Sequence, residues 1–144
     1  MNINYKLLNT ECKLTKGSVE AAGWDAVANL ESAVCISPGS VVAIPLGIVL
    51  DLPNGWECQV RSRSGLAIKN QVVVLNSPGT IDSDFRGECK AILANHSATP
   101  FVVERGMRVA QLVFKEVPEV GLTLVSEIRT TERGEGGFGS TGMN

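Results

Sequence analysis

Histidine is almost missing from this sequence: His96 is the only one. It lies in Asn95-His96-Ser97, a turn-like stretch suited to a loop, so Ser-His-Asp and Cys-His schemes drop out. Any general base must then be a carboxylate. Cysteine is sparse and scattered. Cys12, Cys35, Cys58 and Cys89 form no Cys-x-x-Cys pair, so zinc-site spacing is absent. They read as small buried or half-buried residues of a chain in a reducing compartment. Positive charge is short as well: 13 Lys and Arg against 15 Asp and Glu give a formal net charge of −2. Coating a nucleic acid takes clustered cations, so no nucleic-acid partner is expected, whereas a polyphosphate ligand asks for only a few well-placed ones. No apolar run approaches the length of a membrane span, and Met1 to Lys16 has no apolar stretch of the signal-peptide kind. The expectation is a cytoplasmic chain with no membrane contact.

What the sequence does contain is a β pattern on a single-domain scale. Its 144 residues, 44% apolar and 19% charged, have a globular composition. A chain of this size buries roughly two thirds of the surface it exposes when unfolded, so a core without disulfides is feasible. Short Val- and Ile-rich runs alternate with Gly, Pro, Asn and Asp. Val41 to Leu50 reads as one or two strands, with Pro45 calling for an edge or a bulge. Pro53-Asn54-Gly55 predicts a hairpin turn before a strand at Trp56 to Val60. Val72 to Leu75 looks like a strand buried on both faces, turned back by Ser77-Pro78-Gly79-Thr80. Lys90 to Ala94, Phe101 to Glu104 and Val109 to Phe114 follow as strands, the last alternating between two faces. Ser64 to Lys69 predicts a helical turn or two. The class is therefore all-β, a sandwich or jelly roll with at most one short helix. Residues 129–144 differ: five glycines and little apolar content make them a flexible tail after a domain of residues 1–128.

Four segments could carry chemistry. In Ile81-Asp82-Ser83-Asp84-Phe85-Arg86-Gly87-Glu88, extended backbone would send Asp82 and Asp84 to one face, one to hold a water and the other to pair with Arg86. A solvated acidic turn has the same composition. Arg61-Ser62-Arg63-Ser64-Gly65 offers a guanidinium fork, a hydroxyl and backbone N–H groups to an oxyanion, or is a polar loop. In Ala22-Gly23-Trp24-Asp25-Ala26, Asp25 could hold magnesium, which keeps several waters and takes one or two carboxylates plus substrate phosphates, or could cap a turn. The stretch Arg133 to Gly142 combines glycines that let N–H groups approach phosphate with Phe138, an aromatic face for a base.

Taken in order, these segments resemble the dUTP pyrophosphatase family over nearly the whole chain. Its five short motifs are matched by Ala22-Gly23-x-Asp25, by Arg63-Ser64-Gly65-Leu66-Ala67, by Gly79-Thr80-Ile81-Asp82-Ser83-Asp84-Phe85-Arg86-Gly87, by Arg108-Val109-Ala110-Gln111-Leu112, and by the tail from Arg133 to Gly142. The resemblance implies a jelly-roll β-barrel, a homotrimer whose three sites each take motifs from all three chains, and hydrolysis of dUTP to dUMP and pyrophosphate with Mg2+. That chemistry limits uracil incorporation into DNA and supplies dUMP for thymidylate synthesis.

The same resemblance implies residue roles. Asp82 activates the water that attacks the α-phosphorus. Asp25 holds magnesium through water. Arg63, Ser64, Gly65 and Gln111 contact phosphates. Asn76 reads uracil at a hairpin running to Asp82 through Gly79, Thr80 and Ile81, and Lys90 adds a backbone contact at the base. Phe85 packs on deoxyribose and blocks a ribose 2′-hydroxyl; tyrosine is commoner there, and exclusion by a phenyl ring is steric. From the tail, Arg133 grips phosphate, Phe138 stacks on uracil with Gly139 beside it, and Ser140 and Thr141 reach the γ-phosphate as the arm closes over a neighbouring subunit's site. Three other readings stand beside this one: a dCTP deaminase on the same fold, which would use a catalytic glutamate near the base, a trimeric nucleotide-binding regulator, and a purely structural β-sandwich, which would leave the five motifs as coincidence.

Overall fold

The computed structural model describes residues 2–138. Among the described residues, eleven short strands and one α-helix pack around one apolar cluster. All strand pairs are antiparallel. We number the elements in chain order: β1 (Asn4–Leu7), β2 (Trp24–Val27), β3 (Val34–Ile36), β4 (Val41–Pro45), β5 (Ile48–Asp51), β6 (Trp56–Arg61), α1 (Ser64–Asn70), β7 (Val72–Val74), β8 (Gly79–Ile81), β9 (Lys90–Asn95), β10 (Phe101–Val103) and β11 (Arg108–Glu116). A single 3-10 turn at Thr10–Cys12 lies between β1 and β2.

Alternation along each strand decides what faces inward. In β5, Ile48 and Leu50 are buried while Asp51 is exposed; in β6, Cys58 and Val60 are buried. These side chains meet Ile36, Ile44, Leu93 and Leu112, so the core is aliphatic. Among the described residues its one buried polar side chain, Asn95, is fully bonded. Nδ2 donates to Ile36 O and Thr99 O at 2.9 and 2.8 Å, and Oδ1 accepts from Ser97 N at 2.9 Å.

The all-β class with one short helix stands, but the ladders form four sheets rather than one closed barrel: β1-β5, β10-β3, β4-β9-β7 and β2-β11-β6-β8. Pro45 ends β4 on a sheet edge, where a missing N–H costs nothing. Four expectations need correction. The Pro53-Asn54-Gly55 turn exists, with Trp56 N donating to Pro53 O, yet β5 pairs with β1 and β6 with β11 and β8, so it passes the chain between sheets and makes no hairpin. Residues 76–78 likewise cross between sheets into β8, so no hairpin spans 76–82, because β7 pairs with β9 and β8 with β6. β7 is half covered: Val73 is half-buried and Leu75, beyond its end, is exposed. In β11 the simple alternation fails. A register shift between Arg108 and Ala110 buries Val109 and Ala110 in succession, as a bulge does.

After β11, residues 117–138 contain no strand or helix, and residues 115–135 are all exposed.

Candidate active site

The four-stranded sheet places the polar residues of interest. Across it, Asp25 on β2, Gln111 on β11 and Arg61 on β6 stand in one row. Asp25 is the hub of a charge cluster. Its Oδ1 accepts from Arg63 Nε at 3.1 Å and its Oδ2 from Arg108 Nη1 at 3.0 Å. Arg63 Nη1 also donates to the Arg108 carbonyl at 3.0 Å. Asp25's side chain is only 15% exposed, so these charge-assisted bonds matter more than surface pairs do.

Gln111 is held as firmly. Its Nε2 donates to Ser62 O at 3.0 Å, and Ser62 Oγ in turn accepts from Val74 N at 2.8 Å. The carboxamide lies over Gly23: a Cβ added there would come closer than 3.0 Å to Gln111 Oε1. Glycine at 23 is therefore a spatial requirement of the glutamine. Just beyond, α1 starts at Ser64 with Arg63 at its N-cap and no side-chain cap, so its first N–H groups have no intrahelical partner. Gly65 has open space where a side chain would be. Arg63, Ser64, Gly65, Gln111 and Asp25 thus come together as one cationic corner.

A second group gathers elsewhere. A cleft of about 580 Å³ is lined by Asn76, Thr80, Ile81, Asp82, Phe85 and Lys90, with Glu88 and Cys89 at its side. Asp82 is exposed at the end of β8, and its carbonyl accepts from Phe85 N at 3.2 Å. This turn replaces the extended backbone expected over 82–84, so Asp82 and Asp84 do not share a face by strand alternation. Nor does Arg86 pair with Asp84. It bonds Ser83 O at 2.6 Å and Asp51 Oδ1 at 3.1 Å, which clasps the turn to β5. The Phe85 ring lies over Gly87, where an added Cβ would meet ring Cε2 at 3.0 Å. Gly79 is buried, with Asn76 Nδ2 3.1 Å from where its Cβ would be. Glu88 Oε1 accepts from Asn29 Nδ2 at 3.1 Å and Gly47 N at 2.9 Å, tying the strand after the cleft to two loops.

The arm residues stand apart from both groups. Arg133 Nε donates to Gly136 O at 2.8 Å, and Phe138, at φ 51°, is fully exposed. Gly139, Ser140 and Thr141 lie outside the described residues. Among the described residues no group of three or more His, Cys, Asp and Glu gathers to hold a metal. No helix among them is long and apolar enough to cross a membrane. His96 is exposed in a loop, as expected, and Cys12, Cys58 and Cys89 are buried while Cys35 is exposed.

Sequence reasoning gave no role to Arg108, Asp51 or Glu88. Arg108 lies within a matched motif and Glu88 beside one, whereas Asp51 lies outside them all; their partners lie 35 to 83 positions away and are visible only in the fold.

Comparison with known proteins supplies the lineage. The dUTPase family model matches residues 12–142. The deoxyuridine 5'-triphosphate nucleotidohydrolase of Chlamydia muridarum is 50% identical over 139 residues, 91% of this chain and 96% of that one. Its counterpart in Rhizobium rhizogenes is 48% identical over 131 residues, 90% of this chain and 82% of that one. The same fold occurs in the dUTPase of Staphylococcus bacteriophage 80alpha, solved with dUPNHPP, at a TM-score of 0.83, 24% identity and 98% coverage of both chains. With a family match over nearly its full length and relatives at about half identity, the chain belongs to the dUTPase family.

Proposed function

We propose that this chain hydrolyses dUTP to dUMP and pyrophosphate, with Asp82 as the base that aims water at the α-phosphorus. Its enzyme class, dUTP diphosphatase, follows from the family. The observation that carries the assignment is the cleft that brings Asp82 beside Asn76 and Phe85, the residues matched to the base and the sugar. A carboxylate at its edge, with no side-chain partner among the described hydrogen bonds, is free to accept a proton from water. Positioning and proton removal of this kind contribute ~10²–10⁴-fold.

In this reading Asn76, with the backbone of Gly79, Thr80, Ile81 and Lys90, pairs with the uracil edge. A 5-methyl group would be rejected there by contact with the loop. Cytosine would leave polar groups unpaired, which is how a hydrogen-bonding pocket rejects an analogue strongly. Phe85, held over Gly87, excludes the 2′-hydroxyl. Arg63, the N–H groups of Ser64 and Gly65, and Gln111 receive the phosphates. Arg133, Phe138, Gly139, Ser140 and Thr141 close the site from the arm.

Asp25 suits a metal that arrives with its substrate. Each of its oxygens takes one arginine N–H, and a carboxylate has about four acceptor sites, so capacity remains for a metal-bound water. Magnesium, when bound there, would neutralise phosphate charge.

The two halves of the site are far apart within one chain. β2 and β8 are three strand spacings apart, roughly 14 Å. Asp82 follows Ile81, which faces Cys58, so it stands level with Glu57, four positions along β6 from the Asp25 row at Arg61. Four residues of strand add about 13 Å, for a separation of roughly 19 Å. Both carboxylates are meant for one triphosphate, so we assign the cationic corner to one subunit and the cleft to another, in a homotrimer. The exposed segment between β11 and the arm fits that assembly, since Val120, Leu122, Leu124 and Ile128 have no cover among the described residues of their own chain. We place the enzyme in the cytoplasm, without a nucleic-acid or membrane partner.

The test is incubation with dUTP, UTP, dTTP and dCTP plus magnesium, following pyrophosphate and ammonia. Pyrophosphate from dUTP alone is expected. Ammonia from dCTP would reassign the chain as a deaminase, and binding with no product from any nucleotide would make it a regulator.

A further inference from the structure

Arg86 belongs to the third motif, yet its carboxylate partner is Asp51 on β5. The turn after β8 is closed by Phe85 N donating to Asp82 O at 3.2 Å. Arg86 braces that turn from outside. Its Nη1 donates to Ser83 O at 2.6 Å and to Phe85 O at 3.1 Å, while Nη2 donates to Asp51 Oδ1 at 3.1 Å. One guanidinium thus ties two carbonyls of the turn to a carboxylate, a use of the planar fork that a lysine ammonium reproduces only in part. β5 is a firm reference for the turn. Ile48 and Leu50 are buried, all four residues of the strand pair with β1, and Asp51 Oδ2 accepts from Asn4 Nδ2 at 3.4 Å. A second tie lies beyond Gly87, where Cys89 N donates to Ile48 O at 2.9 Å. Gly87 is therefore bracketed by two anchors on one strand. The Phe85 ring needs that support: it is 46% exposed, so burial does little to fix it, and it rests on Gly87, where an added Cβ would meet ring Cε2 at 3.0 Å. Rejection of a 2′-hydroxyl is a matter of overlap, and repulsion at contact distance is steep, so a small shift of the ring is enough to admit one.

We propose that Arg86, anchored on Asp51, is a positioning residue that holds Phe85 against the sugar and so enforces deoxyribose over ribose. The assignment rests on reading Phe85 as the ring that excludes a 2′-hydroxyl. The ion pair itself, with side chains 53% and 59% exposed, adds little to the stability of the fold. Its effect is on where the turn sits, and therefore on which sugar the cleft accepts.

The experiment measures kcat/KM for dUTP and for UTP on the full chain, at enzyme concentrations high enough to follow UTP, in wild type, Arg86→Gln, Arg86→Lys, Asp51→Ala and Phe85→Ala. Arg86→Gln should lower the preference for dUTP over UTP ~3–10-fold, mainly through a gain on UTP. Arg86→Lys should fall between wild type and Arg86→Gln. Asp51→Ala unties the turn from β5 but leaves Arg86 its two carbonyls, so it should lower the preference less; as an exposed strand position it carries the test if Arg86→Gln fails to fold. A merely structural part would cost both nucleotides alike and leave the ratio where it was. An unchanged preference in Arg86→Gln and Asp51→Ala, beside a reduced one in Phe85→Ala, overturns the assignment and leaves Phe85 in its role. A preference that Phe85→Ala does not alter removes the sugar reading, and the assignment with it. The same ratio read by calorimetry, as affinity for dUMP against UMP, keeps the test independent of turnover. A chain that discriminates through Arg86 yet hydrolyses neither triphosphate keeps the assignment and loses the catalytic reading.

Discussion

Replacing Gly23 by alanine tests whether the glutamine of the cationic corner is placed by packing. The new Cβ would come closer than 3.0 Å to Gln111 Oε1, 3.2 Å from its Cδ and 3.3 Å from its Cβ. The oxygen is the far end of a flexible side chain and can retreat; the Gln111 Cβ cannot, because β11 is paired in register with β2 at Asp25. Retreat of the carboxamide breaks the Nε2 bond to Ser62 O, worth about 0.5–1.5 kcal/mol net. The residual tight contact adds a similar amount, so the fold should lose ~1–3 kcal/mol. Because the same carboxamide is assigned to phosphate, kcat/KM for dUTP should drop ~10–100-fold, chiefly through KM. Urea unfolding and pyrophosphate release read the two effects. Gly17→Ala is the control, since nothing lies within 4 Å of its added Cβ. In a Gln111→Ala background most of the Gly23→Ala penalty should vanish, because the clashing atoms are gone. Full additivity of the two changes, or a Gly23→Ala enzyme within about twofold of wild type, would refute the reasoning.

Asp82→Asn should bind a non-hydrolysable dUTP analogue as wild type does while turnover falls ~10²–10⁴-fold; near-normal turnover would remove Asp82 from its role. Truncation before Arg133 should leave a folded enzyme with severely reduced dUTP hydrolysis, since it removes Arg133 and Phe138 together; normal hydrolysis would dismiss the closing arm. Burial pushes the Cys89 thiol up from its ordinary 9.0 to about 11 and raises that of Cys58 as well. Unfolded thiols ionise above pH 9.0 while the folded ones keep their protons, so stability should fall from there toward pH 11, with a smaller fall in Cys89→Ala; a flat urea midpoint up to pH 10.5 would contradict this.

Local chemistry was legible in the sequence wherever a residue's partner is near in the chain. The α1 turn after Arg63, the edge position of Pro45 and the loop placement of His96 all follow from neighbours a few positions away. Pairing across the fold was not legible. Pro53-Asn54-Gly55 has the composition of a hairpin, yet a turn's composition does not say which strand accepts the next one: β6 pairs with β11, and β5 with β1. β1, β2, β3 and β8 escaped notice because three or four residues carry too little periodicity to read, and none has the unbroken Val run that marked β7. The motif residues were found by their order along the chain. Their division into a cleft and a cationic corner came from the sheet, which separates Asp25 from Asp82 by two intervening strands.

That division has a consequence that no single-site variant can test. If one chain supplied both halves, an Asp82→Asn chain and an Arg63→Ala chain would each be inactive, and mixing them would restore nothing. If each site draws its cleft from one subunit and its cationic corner from the next, a mixed trimer contains sites in which both are intact. Random assembly makes a given cleft wild type in half of cases and the adjoining corner wild type in half, so an equimolar mixture that is unfolded and refolded together should regain about a quarter of wild-type activity. The same two proteins refolded separately and then combined should regain almost none until subunits exchange. Mixing without recovery, in material whose mass confirms a trimer, would mean that a single chain bends its own cleft toward its own arginines, across the roughly 19 Å that the strand order sets between them.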